Sequence, residues 1–430
     1  MSECIEVKDL ITDGLVIARV SDPEHVKRKN SDSFKENKSD TRDDFERDYA
    51  RVLHSASFRR LQGKMQLLGT QVSDFYRTRL THSLEVSQIG SEIASKITVS
   101  GERNVVSKSL VMMACLAHDI GNPPFGHFGE KALNVIMKDM GGFEGNAQTL
   151  RVLSSLEKKS KAFDGLNLTL AAKMSVVKYN VQPPEGDTIL KGKFLYHDQY
   201  DELQESMLPA QTIECQIMEL ADDIAYACHD LEDGLKSGII HLEDIESHLS
   251  GCQGGEKLLE TFNGKVTSAA TLSGVRSGDM FYKALTSVLI NTFIQDIEVC
   301  PLTDKERKKK GTLRTKALGL RTQSSFLDGL KSGVLSTLIG KPAVAEYEIQ
   351  GASVIKSLYD MLTDKTYNYR DRFFPEEYRY FISNDIYPLE RVAVDYIAGM
   401  TDAFALRLYA QHFGKDVPKY QDNCWTAPLP

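Results

Sequence analysis

Cysteine is scarce and unpatterned in this chain. There are seven thiols in 430 residues, at positions 4, 115, 215, 228, 252, 300 and 424, an odd number with no C-x-x-C pair. That spacing excludes a disulfide frame and a cysteine-built zinc site, and it fits a reduced, cytoplasmic setting. No window approaches the roughly 18 uninterrupted apolar residues of a membrane span. The first residues are acidic rather than a basic stretch before an apolar core, so neither a span nor a signal peptide is expected. A dinucleotide-binding glycine fingerprint, a Walker loop and internal repeats are all missing. The net charge of −8 excludes a generally basic, nucleic-acid-coating protein. It leaves room for local basic patches of the kind a phosphate-rich ligand needs.

What is present is an ordinary globular composition, 41% hydrophobic and 26% charged, long enough for one large domain or two. Residues 1–40 are polar, with 27–38 rich in Lys, Ser, Asp and Asn, and read as a surface-lying or partly ordered arm. Residues 43–66 place Phe45, Tyr49, Val52, Leu53, Ala56 and Leu61 at helical spacing, with Arg42, Arg47, Arg51, Arg59 and Arg60 on the solvated faces.

The chain is organised around residues 110–127. The apolar run 110–117 reads as a buried helix. It ends in His118 and Asp119, and Pro123 and Pro124 stop it before a second imidazole, His127. An adjacent imidazole and carboxylate suit a metal ion, although such a pair at a helix end is more often structural. The rest of the chain supplies the weight. His82 stands near the start of a helix with Leu84, Val86, Ile89 and Ile93 on its apolar side, Thr81 or Ser83 as its cap, and Arg79 almost one turn before it.

Residues 141–148 form a glycine-rich turn that feeds a helix from Thr149 and can offer N–H groups to phosphate. Residues 166–179 read as a helix broken by Pro183, Pro184 and Gly186, and 191–196 is a short basic–aromatic stretch. In 215–235 the helical period is strong, and Asp222, Tyr226 and Asp230 share one face at i, i+4 and i+8. Burying two carboxylates and a phenol on that face is costly without a cation or a polar ligand, the alternative being a plain solvated acidic stripe. After Ser237 strand signals are few. The charge run 304–316 reads as a solvated loop or hairpin, the best place for an inserted surface element or a nucleic-acid contact. Residues 391–402 read as a helix with polar groups among apolar ones.

His82, the His118–Asp119 pair and Asp222 are separated by 36 and 103 residues, so only a fold that gathers three helices unites them. Two imidazoles and two carboxylates suit one divalent ion, Mn²⁺ or Mg²⁺ first, with Ni²⁺, Co²⁺, Fe²⁺ or Zn²⁺ also compatible. This H…HD…D order resembles the HD superfamily of metal-dependent phosphohydrolases. Five strings bring the resemblance closer: RRLQGKMQ at 59–66, YRTRLTHSLE at 76–85, HDIGNPPFGH at 118–127, FEGNAQ at 143–148 and ADDIAY at 221–226. In that order they look like the bacterial dGTP triphosphohydrolases and, more distantly, the vertebrate SAM-domain dNTP triphosphohydrolase. Residues 395–402 add a C-terminal echo.

The resemblance implies an all-α fold: an HD-type catalytic core over 41–236, with helices of 237–430 completing the active site and the oligomer interfaces. It implies hydrolysis of a dNTP, dGTP preferred, to a deoxynucleoside and triphosphate, limiting dNTP pools. By resemblance, His82, His118, Asp119 and Asp222 are the metal ligands, and His127 is the catalytic imidazole with Glu130 orienting it. Arg79, Asn146, Lys178 and, as a weaker match, Lys193 meet the phosphates; Gln66, Tyr226 and Asp230 meet the sugar. A homo-oligomer, hexameric or a smaller even assembly, is implied, and the basic run 305–310 leaves single-stranded DNA as an added partner.

The chain also departs from the pattern. Asp223 stands where the vertebrate enzyme has a phosphate-binding lysine, a SAM domain is missing, and residues 240–370 match only loosely. Two other functions stay open: an HD phosphohydrolase acting on nucleoside monophosphates or signalling nucleotides, and a nucleotide- or DNA-binding regulator without catalysis.

Overall fold

The computed structural model describes residues 4–30, 41–66, 77–205, 211–339 and 341–414. The described chain is dominated by helices, and the expected all-α class holds. Three helices make the centre: Arg79–Lys96, Lys108–Ala117 and Ile213–Lys236 pack on one another. Each starts where a side chain caps it. Thr78 accepts from the Thr81 N–H, Ser107 from that of Leu110, and Thr212 from that of Cys215. The middle helix is apolar all round, with Leu110, Val111 and Met113 to Ala117 buried, as its sequence requires for a helix enclosed by others. Gly90 lets the first two helices approach: a Cβ there would lie 2.8 Å from Cys115 Sγ and 3.1 Å from Val111 Cγ1.

A second apolar cluster forms on the far side of the Pro-rich turn. Phe125, Leu133, Met137 and Phe143 pack with Val354, Ile355, Leu358, Val392 and Ile397, so C-terminal helices back the turn that follows His118–Asp119. Phe125 itself sits at φ 63°, in the left-handed region that disfavours a bulky side chain. It is held there by burial and by the bond from its N–H to Asp402 Oδ1 at 3.0 Å.

Several sequence expectations change. The N-terminal stretch is no surface arm over its described part, because Ile5, Val7, Leu10, Leu15, Ile17 and Ala18 are buried in the main core. Ile5–Glu6 pairs parallel with Ile97–Val99, which fixes its path; residues 31–40 lie outside the described set. The 43–66 segment is two helices, Asp44–Leu53 and Ala56–Arg60, because Ser55 caps a new start. Arg51 is buried rather than solvated and donates to the carbonyls of Leu166 and Asn167. The 166–179 helix shrinks to Leu170–Met174: Asn167 at φ 48° and the Thr169 cap delay its start. The helix expected from Thr149 begins earlier, at Gly145, under a Glu144 cap. The charge run is neither loop nor hairpin turn alone. Asp304–Lys310 is helical, capped by Thr303 and Glu306, between antiparallel strands Ile297–Pro301 and Lys316–Leu320.

Candidate metal centre and active-site cleft

The three central helices deliver their polar residues to one place. His82 lies in the first turn of Arg79–Lys96, His118 caps the end of Lys108–Ala117, and Asp222 comes from the middle of Ile213–Lys236. Ligand atoms of His82, His118 and Asp119 lie within 4.8 Å of one another. Asp222 Oδ1 is 3.1 Å from His82 Nε2 and 3.4 Å from His118 Nε2. His118 Nδ1 donates to the Cys115 carbonyl at 2.7 Å, which orients the ring and turns Nε2 toward the carboxylates. Burial lowers the His118 pKa, but the charges of Asp119 and Asp222 outweigh it and raise it. The buried Nε2 lies 3.5 Å from Asp119 Oδ1 and 3.4 Å from Asp222 Oδ1 without a well-formed hydrogen bond. Two imidazoles and two carboxylates gathered in this way form a donor set that fits a divalent cation.

Cations and amides orient the carboxylates from outside. Arg79 and the Asn122 amide donate to the two oxygens of Asp119. Lys178 Nζ donates to Asp222 Oδ2 at 2.8 Å. Burial pushes both carboxyls up, but the Arg79 charge on Asp119 and the Lys178 charge on Asp222 outweigh it and hold both well below the usual range. Both are therefore ionised and able to bind a metal. Arg79 and Lys178, expected at the phosphates, stand against these carboxylates.

A second cluster lies beside the first. His127 Nδ1 is 3.3 Å from Glu130 Oε2, and the imidazole is largely exposed. Burial raises the Glu130 carboxyl, yet the His127 hydrogen bond and the Lys193 charge bring it down to about 2. Lys193 bridges Glu130 at 3.1 Å and Glu144 at 2.9 Å. Asn146 donates to Glu144 at 2.7 Å, and the Gly145 N–H donates to Glu130 at 3.2 Å. The glycine-rich turn is thus held open by carboxylates, with Lys193 in the middle.

Farther along the same face of the central helix the polar groups lack partners. Asp230 is buried with neither carboxylate oxygen hydrogen-bonded, and the Gln66 carbonyl oxygen is likewise buried without a partner. Burial, and next the Asp233 charge, push the Asp230 carboxyl well above its ordinary value, against the pull of Arg77 and Arg79. Burial and Asp230 also push the Tyr226 phenol up. Buried oxygens of this kind need a polar partner, which a hydroxylated ligand could supply.

A raised folded pKa means that the protonated carboxyl stabilises the fold fully below the unfolded value of about 4, and that this stability is lost as pH rises toward the folded value. Asp230→Asn removes that loss. It is expected to raise the unfolding midpoint, and more at pH 8 than at pH 5. Thermal scans at the two pH values check this; an equal shift at both, or a drop, would contradict the burial argument.

Four contributors escaped the sequence reading. Glu144 organises Lys193 and Asn146, and Asn122 steers Asp119. Lys64 is buried and donates to the carbonyls of Asn122 and of Ala398, the latter at 2.8 Å. Asp402 accepts from the N–H groups of Met65 and Phe125 at 3.0 Å each. Lys64 and Asp402 therefore pin the turn after His118–Asp119 to the C-terminal helices. The strings quoted above contain Asn122, Glu144 and Lys64; the only signal for Asp402 was the C-terminal echo.

An HD domain matches residues 79–227, and a phosphohydrolase-associated domain matches 322–411. The first match covers His82, His118, Asp119 and Asp222, which makes the chain an HD-domain phosphohydrolase in class. Full-length relatives narrow the class. The deoxyguanosinetriphosphate triphosphohydrolase-like protein 2 of Vibrio cholerae is 39% identical over 391 residues, 88% of this chain and 90% of that one. The deoxyguanosinetriphosphate triphosphohydrolase-like protein of Shewanella woodyi is 36% identical over 445 residues, covering 92% and 97%. Its namesake in Aliivibrio fischeri is 36% identical over 448 residues, covering 90% and 97%. The chain belongs to this family of deoxyguanosinetriphosphate triphosphohydrolase-like proteins.

Proposed function

We propose that the protein is a metal-dependent dNTP triphosphohydrolase that prefers dGTP and releases deoxyguanosine and triphosphate. The observation that carries the reading is the convergence of His82, His118, Asp119 and Asp222 beside Arg79 and Lys178, with the buried, unpartnered Asp230 two turns along the same helix face. In it, these four residues hold one Mn²⁺ or Mg²⁺ ion. A divalent ion at such a site neutralises charge on phosphate oxygens and lowers the pKa of bound water.

The chain's own groups do the remaining work. Arg79, Asn146, Lys178 and Lys193 bind the triphosphate tail, an anion that suits both the fork of arginine and the point charges of lysine. Glu130, ionised and bonded to His127 Nδ1, fixes the imidazole and leaves Nε2 free to pass a proton to or from the reacting groups. Gln66, Tyr226 and Asp230 enclose the deoxyribose, with Asp230 facing the 3′-hydroxyl.

The test is purified protein with each dNTP and with GTP, in Mg²⁺ or Mn²⁺, with the products resolved by ion-exchange chromatography. Intact triphosphate and a free deoxynucleoside are expected. Release of orthophosphate, or turnover confined to monophosphates, overturns the reading. An extra 2′-hydroxyl buried without a partner costs roughly 1–3 kcal/mol, so GTP should be slower than dGTP by about 10- to 100-fold. Equal turnover of the two would remove the sugar assignment.

A further inference from the structure

The helix Asp304–Lys310 carries Arg307, Lys308, Lys309 and Lys310 in its last turn, and the reaction proposed above uses none of them. It is not a loose surface element. Gly311, at φ 64°, ends it so close to the Asn180 carbonyl that a Cβ would collide. The Asn180 N–H donates to the Lys310 carbonyl at 3.0 Å. Lys310 Nζ lies 2.7 Å from Glu219, one turn before Asp222–Asp223 on the central helix. Arg314 donates to the Gln211 carbonyl, and the Gln211 amide donates to the Lys178 carbonyl at 2.9 Å. The Asn180 contact and the Arg314–Gln211 link therefore lock the basic turn to the segment that bears Lys178, and Lys310 ties it to the central helix.

Lys309 is exposed, and its Nζ lies 5.9 Å from the centre of the Tyr179 ring. Tyr179 follows Lys178 directly and stands within electrostatic reach of Lys178, Lys193, Glu144 and Glu219. These include both lysines at the cationic end of the cleft. Arg307 pairs with Asp304 and Lys310 with Glu219, whereas Lys309 makes no ion pair within 4 Å among the described residues and only adds its charge to those that hold the Glu306 carboxyl low.

We propose that Lys309 binds the outermost phosphate of the substrate tail, so that this helix measures tail length and favours triphosphate over shorter phosphates. The inference rests on the triphosphohydrolase reading for its substrate. Its physics is separate. Orthophosphate is short enough to be held by the inner cations alone, whereas a triphosphate anchored there extends outward and meets one more ammonium. The extra contact is partly solvated, so salt weakens it more than the inner ones.

The experiment is calorimetric titration of the full-length, Mg²⁺-loaded protein with inorganic triphosphate and with orthophosphate, at low and at high ionic strength. Lys309→Gln should weaken triphosphate by about two- to fivefold at low salt, the range of a solvent-exposed ion pair. Orthophosphate should change less than twofold, and the difference should shrink at high salt. Lys309→Arg should restore the preference, and Lys257→Gln, a remote exposed lysine, should leave it intact.

An unchanged ratio in Lys309→Gln overturns the inference. So does a wild-type protein that binds the two anions alike, or a variant that loses affinity for a single-stranded oligonucleotide and not for triphosphate. If dGTP yields no triphosphate while Lys309→Gln still lowers triphosphate affinity, the reaction assignment fails and the role of Lys309 stands. If dGTP is cleaved as proposed and Lys309→Gln binds triphosphate like the wild type, only the inference on Lys309 fails.

Discussion

Alanine at His82 or at Asp222 is expected to remove the bound divalent metal and turnover of any nucleotide substrate together. Each change deletes one of four converging donors whose partners are already committed: Asp222 lies within 3.4 Å of both imidazoles, and Lys178 holds its second oxygen. Loss of an outer partner alone typically lowers metal affinity or activity by roughly 10- to 100-fold, and loss of a ligand should exceed that. Asn122→Ala, which removes only the amide that steers Asp119, should fall inside the smaller range. Asp223→Ala is the internal control. Its side chain points about 100° away around the helix and pairs with Lys331 at the surface, where such pairs contribute about 0–1 kcal/mol. Metal content after dialysis and initial rates with dGTP report all four variants. Near-wild-type metal and rate in either His82→Ala or Asp222→Ala would break the metal assignment. An essential Asp223 beside a dispensable Asp222 would show that the helix register is misread.

The parts of this site that were legible in the sequence are those with short-range signatures. His118 and Asp119 announce themselves because an apolar run ends on them before two prolines. Asp222, Tyr226 and Asp230 follow from a single helical period, and the 215–235 reading lies within Ile213–Lys236. The clamp on the turn was not legible, because Lys64 reaches Ala398 across 334 positions and Met65 reaches Asp402 across 337. No local pattern encodes such a pairing. Sequence reasoning also treats charge as exposure. Lys64 and Arg51 were lost to that habit, since both are buried and donate to backbone carbonyls.

The N-terminal stretch shows the opposite failure. Its apolar residues between Ile5 and Val20 are outweighed in a reading of 1–40 by the polar stretch 27–38, yet a two-residue strand pairing draws Ile5 and Val7 inside. The helix at 304–310 could have been found. Thr303 and Glu306 stand in the T-x-x-E spacing of a capping box, a signal outweighed in the reading by the lysines that follow it.

Arg151→Met is expected to have the largest effect on stability. Arg151 ends the helix Gly145–Arg151, within the HD-matching segment, and Asp395 lies in Leu389–Ala398, within the phosphohydrolase-associated segment. Their contact is a two-pronged fork, Nε to Oδ2 at 2.9 Å and Nη2 to Oδ2 at 2.8 Å, with Nε also 3.0 Å from Oδ1. Both side chains are buried, the guanidinium lies 4.1 Å over the Tyr387 ring, and burial is outweighed by the Asp395 charge in holding Arg151 ionised. With the arginine gone, Asp395 keeps, among the described residues, the Gln148 amide at 2.9 Å as its one hydrogen-bond donor, itself braced by the Tyr196 hydroxyl at 3.0 Å. One amide does not compensate a buried carboxylate, and breaking such a pair from one side costs about 3–5 kcal/mol. Removing both charges with Arg151→Met and Asp395→Leu deletes the stranded anion, so the double variant should regain most of the loss. Denaturant unfolding of the wild type, both single variants and the double variant closes the cycle. A single variant within about 1 kcal/mol of wild type would show that water or rearrangement reaches Asp395. A double variant as unstable as Arg151→Met would mean that the arginine acts through its packing on Tyr387 rather than through its charge.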